Sequence, residues 1–509
     1  MEKQAVTAVN SDHDHDHGQI PIHVHPQPTS DPLDPLNWSK LEKHTILAIV
    51  MLKYFLFTYL TTTTVPSFPS IQSSLNINYS QVNWTVAIPA LGLALGPLFW
   101  SGLSDVYGRR IVFITGTLIA LGSTVGAALA TTYNGYMAAR FFQGWGVSPA
   151  SSVGMAVVND LFFDYERGQK LGLWVLALDA GLLVGPIFGG FLNLVSAEWI
   201  NWFTAILFGV LLVLELVFMP ETLYPRGSML RIFPTSVSDI EHHQSSPPTE
   251  KEEDQIRRTK ALPFLNLRPI PSIRPTPLYK PILHFFSLFA FPTIPLAVLG
   301  YSFLWYWWVL SVITMVPAAY PSYSPSIQGL LFLGLLLGTV ISEITCSGSL
   351  SDALVRGLAR RNAGVKTPEM RLCLGPLAVL ITAVGLIVFG VSIEKSYHWM
   401  VGQVAFFLFA AGIQIGNTVI SSYIVDNYPL QSTSVVIFYA VFLNLSAFVN
   451  PFFITPWQEA VGWTWTFTTQ ALIVLVLASL LLGGLYRYGA VLRKKAGTPG
   501  WVNPEFDST

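Results

Sequence analysis

The chain has 509 residues, 52% of them hydrophobic and 11% charged, with a mean hydropathy of +0.51. An ordinary soluble domain carries about 25% charged residues, so a string of soluble domains is excluded for want of polar surface. The net charge of −1 says little, because the distribution of charge along the chain matters here rather than its sum.

The first 37 residues are polar and rich in His and Pro, with no apolar stretch of the kind a cleavable signal needs. His13, His15, His17, His23 and His25 lie in this tail. Such a run can hold a metal loosely, but a solvated tail is the simpler reading and no metal site is expected.

A hydrocarbon core of about 30 Å needs roughly 20 apolar residues as a helix. That length predicts twelve spans: 44–65, 83–104, 111–131, 135–159, 170–194, 200–219, 285–316, 326–347, 372–392, 398–421, 432–455 and 465–488. The seventh is overlong, and Pro292, Pro295 and Pro317 predict a bent start and a sharp end. The chain therefore reads as an all-α polytopic membrane protein, with a tail over 1–43, a six-helix half over 44–219 and a second over 285–488. A linker covers 220–284 and a second tail 489–509. The linker is charged and Pro-rich, a composition that buries too little apolar area to fold compactly. Cys346 and Cys373 lie in or beside apolar segments, which excludes a disulfide framework.

Basic residues decide the orientation, because Lys and Arg are retained on the cytoplasmic side of short loops. Loops after spans 2, 4, 6 and 8 are basic: Arg109 and Arg110, then Arg167 and Lys170, then nine basic residues between 226 and 280, then Arg356, Arg360, Arg361 and Lys366. Loops on the other side carry a single one, Lys395. This asymmetry predicts a multi-pass protein with both termini cytoplasmic; the plasma membrane is the expected location, with the vacuolar membrane open. The sequons at Asn78 and Asn83 fall in the first outer loop and are glycosylation candidates.

The two halves echo each other. GLSDVYGRR follows span 2 and GSLSDALVRGLARR follows span 8, pairing Asp105 with Asp352. NDLFFDYERG closes span 4 and VDNYPLQS closes span 10, pairing Asp160 with Asp426. The second copy keeps Asp352 but loses the Gly-Arg-Arg ending, so the two copies are expected to work asymmetrically.

Three further motifs carry a family resemblance over nearly the whole chain. Gly102, Asp105, Gly108, Arg109 and Arg110 match the loop G-x-L-a-D-r-x-G-r-[KR]. Arg140, Gln143, Gly144 and Gly146 match R-x-x-Q-G-x-G in span 4. Gly181, Gly185, Pro186, Gly189 and Gly190 match G-x-x-x-G-P-x-x-G-G in span 5. Together these resemble the major facilitator superfamily, whose members pair two six-helix halves. The span 5 motif is characteristic of its twelve-span drug:proton antiporters. DPLDPLNWS, PETLYP and LARRNAGVKTPEMRL resemble a fungal subgroup of multidrug exporters, secondary-metabolite exporters and organic-cation carriers.

Several residues then become candidates. The resemblance implies that Arg140 and Gln143 take part in proton coupling, and that Asp105 with its loop latches the hairpin to a neighbouring helix end. It also implies that span 5 packs on span 8. Gly181, Gly185 and Gly189 share one helix face where backbones can approach closely; packing alone, or a kink at Pro186 that shapes the moving interface, are both open. Lys53, Asp179, Glu215 and Glu343 are ionisable residues at or inside spans, and intramembrane acids are functional candidates by default. Asp179 or Glu343 is expected to carry the coupled proton or meet a cationic substrate. Trp145, Trp174 and Tyr306 can stack on planar or cationic ligands, and Gln414, Asn417 and Asn444 can hydrogen-bond them; interface anchoring and interhelical bonding are the plainer alternatives.

No phosphate-binding loop of the G-x-x-x-x-G-K-[ST] kind occurs, which argues against an ATP-driven pump, and no catalytic constellation lies within the spans. The expectation is a secondary active transporter, a monomer without cofactor or nucleic-acid partner, set in a lipid bilayer. Proton-coupled export of a small organic molecule is the first reading. Uptake of an organic cation such as a polyamine is its rival, and a non-transporting sensor is the rival of another class.

Overall fold

The computed structural model describes residues 26, 28, 29, 31, 33–224 and 277–501. Among these there is no strand, and eleven helices are long and apolar enough to cross a membrane. The missing member of the predicted twelve is span 4. It is present but broken at Ser148 into Tyr133–Val147 and Pro149–Leu161, each too short alone. Pro149 has no N–H to continue the first ladder and opens the second helix instead.

In the first half, span 1 is Lys40–Thr62, span 2 Tyr79–Tyr107, span 3 Arg109–Ala128, span 5 Asp164–Leu192 and span 6 Glu198–Phe218. In the second, span 7 is Thr293–Ala319, span 8 Pro325–Arg361, span 9 Pro368–Glu394, span 10 Trp399–Asn427, span 11 Pro429–Phe452 and span 12 Ile454–Ala496. The overlong seventh stretch is really two elements. A short helix Lys280–Ser287 comes first, and Pro292 then caps the span proper. Span 8 runs well past its predicted end. The last helix breaks at Gly462, where φ is 80°, and continues through Arg493, Lys494 and Lys495, which the sequence placed in a tail. The bulk of the predicted linker, residues 225–276, and the His-rich run lie outside the described residues.

The ends of the described segments lie on one side, here the terminal face: Thr29 meets Tyr224, Trp501 meets His284, and Leu278 lies against Gly102. At the opposite face the halves are sealed together. Tyr79 Oη donates to the Thr314 carbonyl at 2.9 Å, Asn83 Nδ2 donates to Thr455 Oγ1 at 2.7 Å, and Trp84 stacks on Phe452. Val65, Phe68, Val82, Val86 and Leu183 of the first half accordingly join the hydrophobic core of the second. Asn83 is fully buried there. That corrects the glycosylation expectation at this position, because its amide is spent on a bond between the halves. Asn78 is exposed and caps span 2 through a reciprocal pair with Gln81.

The glycine face of span 5 also has an unexpected partner. A Cβ on Gly181 would stand 2.1 Å from the Phe55 carbonyl oxygen, and one on Gly189 would stand 1.8 Å from that of Thr63. Gly181, Gly185 and Gly189 therefore pack against span 1 within the same half. Contact with span 8 comes from the next positions round the helix. Gly190 abuts the Pro325 carbonyl, and the Pro186 carbonyl abuts Gly329. Span 5 thus packs on span 8, as the resemblance implied, while its spacing-four glycine face serves span 1.

Candidate functional site

Where the halves meet in mid-membrane, a cavity of about 30 Å³ is lined by Asp179, Tyr306, Thr339, Gln414 and Asn417 among apolar side chains. Asp179 comes from span 5, Tyr306 from span 7, Thr339 from span 8, and the two amides from span 10. Glu343, on span 8, joins them through Gln414, whose Nε2 donates to Glu343 Oε2 at 2.8 Å. The Asp179 carboxyl lies within Coulombic reach of Glu343, and its buried Oδ2 has no hydrogen-bond partner. One acid from each half thus faces the other, with an amide between.

Local helix geometry aims these groups. Span 7 adopts a π-helical turn over Tyr301–Tyr306, and span 8 does so over Glu343–Leu350. A π-turn inserts a residue into the helical repeat, shifts the following side chains round the axis and recurs at functional sites. Tyr439 Oη donates to Asn417 Oδ1 at 2.5 Å, Tyr301 Oη donates to the Ile413 carbonyl at 3.2 Å, and the two rings stack. The cavity holds roughly two waters, since one needs about 10–15 Å³ of such space. A substrate needs the halves to separate.

Of the predicted site residues, Asp179, Glu343, Tyr306, Gln414 and Asn417 are brought together and the others are not. Trp145 packs, tilted or edge-on, against Phe99, Trp100 and Phe142 on an outer surface of the first half, where Phe99 and Phe142 are exposed. Trp174 is buried behind Tyr54, ring against ring at 4.1 Å. Asn444 Nδ2 donates to the Ala440 carbonyl of its own helix. None of the three lines the cavity.

Arg140 is buried without a carboxylate among its hydrogen-bond partners. Its guanidinium donates to the carbonyls of Leu60, Thr61 and Thr85, to Gln143 Oε1 and to Thr64 Oγ1. Leu60 and Thr61 close span 1, where unpaired carbonyls and the helix dipole favour a cation. Lys53 and Glu215 pair inside the first half at 3.1 Å, both fully buried. They are structural groups of that bundle, apart from the cavity.

On the terminal face, the SGLSDVYGRR loop forms a charge network. Arg109 donates to Asp105 Oδ1 at 2.6 Å and to Ser104 Oγ at 2.7 Å, and approaches Asp160 Oδ2 at 3.5 Å. Arg110 Nη2 donates to the Leu216 carbonyl. Both arginines are only 3% exposed. Asp105 thus pairs with Arg109 at the start of span 3, and through Arg109 the loop reaches Asp160 near the end of span 4.

Glu221 completes the network. Its carboxylate accepts from the backbone N–H groups of Arg109 and Arg110, at 2.8 and 3.1 Å, and so caps span 3. Burial pushes its carboxyl above the usual range, against the three backbone N–H groups and Arg109, which pull it down. Gly108, at φ 102°, is required here, because a Cβ would stand 2.2 Å from Glu221 Oε2.

The second half repeats the design, which corrects the predicted asymmetry. Arg371 donates to Asp352 Oδ1 at 2.7 Å and to Asp426 Oδ2 at 3.0 Å. The missing arginine is supplied from nineteen positions after Asp352 rather than four. Glu221 and Arg371 both escaped the sequence reading. Each sits in a stretch noted only as a family mark, PETLYP and TPEMRL.

Comparisons with known proteins agree with this architecture. A model of the Major Facilitator Superfamily matches residues 50–451. "Efflux pump radE" of Floropilus chiversii is 27% identical, the alignment covering 91% of this chain and 83% of that protein. "Probable efflux pump mfs2" of Aspergillus flavus is also 27% identical, covering 84% and 98%. Among solved structures, the xylose transporter XylE from E. coli, in a partially occluded inward-open conformation, aligns with a TM-score of 0.59 at 13% identity. That alignment covers 88% of this chain and 99% of XylE. With twelve spans in two halves, both charge networks in place and the family model spanning both halves, the chain belongs to the Major Facilitator Superfamily.

Proposed function

We propose that this protein is a proton-coupled secondary active transporter that exports a small organic molecule by alternating access. In this reading it works as a monomer in the plasma membrane, with its terminal face in the cytoplasm. The observation that carries the reading is the meeting of Asp179 and Glu343 across the interface of the halves, bridged by Gln414. A proton or a substrate cation between two such acids relieves their repulsion, and its departure restores it. Occupancy of the site and separation of the halves are thereby coupled. Names given to fungal relatives support the direction of transport. Arg140 and Gln143 enter as the clamp on the end of span 1, against which span 5 moves.

A second reading, uptake of an organic cation, draws support from the same pair of acids. Tyr306 beside them offers an aromatic face to a cation. Both readings are tested with the full chain in proteoliposomes, an imposed pH gradient and a panel of neutral and cationic organic compounds. Flux that follows the gradient, and that Asp179→Asn and Glu343→Gln each abolish, is the expected result. The direction of driven flux separates export from uptake. Unaltered pH dependence in both variants overturns the coupling role, and binding without flux points to a sensor.

A further inference from the structure

The helix Lys280–Ser287 ends the linker and leads into span 7. Two of its faces are occupied. Phe285 and Leu288 are buried, with the Phe285 ring 5.0 Å from Phe438 and 5.7 Å from Phe442 of span 11. His284 stacks flat on Trp501 at 4.8 Å and 8°. Trp501 comes from the segment after span 12 and is itself held where Gln431 Nε2 donates to its carbonyl.

The remaining face is bare and apolar. Ile282, Leu283 and Phe286 are 40%, 58% and 61% exposed, while Phe289, beyond the helix end, packs against Phe438 and Phe442. Positions 282, 283 and 286 draw a single stripe along the helix. The stripe lies only a few residues before Thr293, where span 7 enters the bilayer, so it sits at the boundary of headgroups and acyl chains. A helix at that depth with an apolar flank lies in the plane of the interface. Charge says which interface: from Gln255 to Lys280 the sequence has six basic residues and no acidic one. Basic residues beside a membrane helix are drawn to anionic lipid.

We propose that this helix is an in-plane anchor that binds anionic phospholipid in the leaflet on the terminal face, and that the lipid thereby holds the linker end against both halves. The helix grips the second half through Phe285. Its leading residue Leu278 crosses the first half, with its carbonyl oxygen 2.9 Å from where a Cβ on Gly102 would stand. Gly102 opens the loop that carries Asp105, and Asp105 in turn lies within Coulombic reach of His284. Lipid bound at the stripe therefore touches a short element that contacts the Asp105 network and span 11 together, and it resists their relative movement.

The test uses the full chain with Cys346 and Cys373 changed to Ser and Phe286→Cys carrying an environment-sensitive fluorophore. It is reconstituted in nanodiscs of phosphatidylcholine with phosphatidylserine, one of the two spin-labelled near the headgroup. Quenching by the lipid label and not by aqueous iodide, stronger when phosphatidylserine carries the label, is expected. Lys280→Gln should lower that preference about fivefold, the worth of one basic residue at an anionic surface. If Phe286→Cys does not fold, Leu283→Cys reads the same stripe. Quenching by iodide overturns the proposal, and equal quenching by both lipids overturns its anionic specificity. Shielding from lipid and iodide alike also overturns it, and means that protein covers the stripe; light scattering then tells whether it is a second copy.

Discussion

Lys53→Met should destabilise this protein severely, and adding Glu215→Leu should rescue it. The Lys53 ammonium spends its three donors on the Phe113 carbonyl at 2.6 Å, Thr117 Oγ1 at 2.8 Å and Glu215 Oε1 at 3.1 Å. Both charged side chains are 0% exposed. Removing the lysine leaves Glu215 with Thr117 as its remaining polar contact at Oε1, while Oε2 has none. Breaking a buried pair from one side costs about 3–5 kcal/mol, whereas replacing both partners with apolar residues is often neutral or stabilising. A loss of about 3 kcal/mol multiplies the unfolding rate on the order of a hundredfold if the pair is gone in the transition state. The assay is the half-life of the detergent-solubilised chain, read by size-exclusion fluorescence after heating, for wild type, each single variant and the double. A Lys53→Met variant as durable as wild type would refute a pair that holds spans 1, 3 and 6 together. So would a double variant no better than the worse single one.

Three further outcomes follow from the geometry. Gly189→Ala places a Cβ against the Thr63 backbone, which forces spans 1 and 5 apart and costs about 1–3 kcal/mol; unchanged thermal stability would mean that the helices are not in contact there. Arg109→Ala strips Asp105 and Asp160 of a buried cation and should lower stability by about 3–5 kcal/mol. Arg371→Ala, whose partners Asp352 and Asp426 are about half exposed, should cost about 1 kcal/mol or less, and equal losses in the two variants would contradict the difference in burial. Expressed in a glycosylating host, Asn78→Gln should abolish any glycan shift on a gel, and Asn83→Gln should leave the shift but weaken the seal to Thr455.

The sequence by itself determined the number of spans, their division into halves and the family. The spans and halves follow from length and hydropathy, because every backbone polar group in lipid must be satisfied within its own helix; the family was carried by the motifs around Asp105, Arg140 and Pro186. It also singled out Asp179 and Glu343, since an acid in an apolar run is conspicuous wherever the run folds. It did not say that the two acids meet. They lie 164 positions apart on different halves, and only the packing of span 5 on span 8 brings them to one site, joined through Gln414.

Tertiary structure likewise decided what each charge near SGLSDVYGRR is for. Arg109 and Arg110 read as markers of a cytoplasmic loop, yet both are buried in a network that Glu221 closes from after span 6. In the second half Arg371 takes the place that the local motif had lost. Spacing could not reveal either residue, because a salt bridge or a cap needs only proximity in space, and the chain can deliver that from any distance. Trp145, Trp174 and Asn444 show the same limit from the other side: their chemistry suits a binding cavity, and helix rotation turned all three away from it.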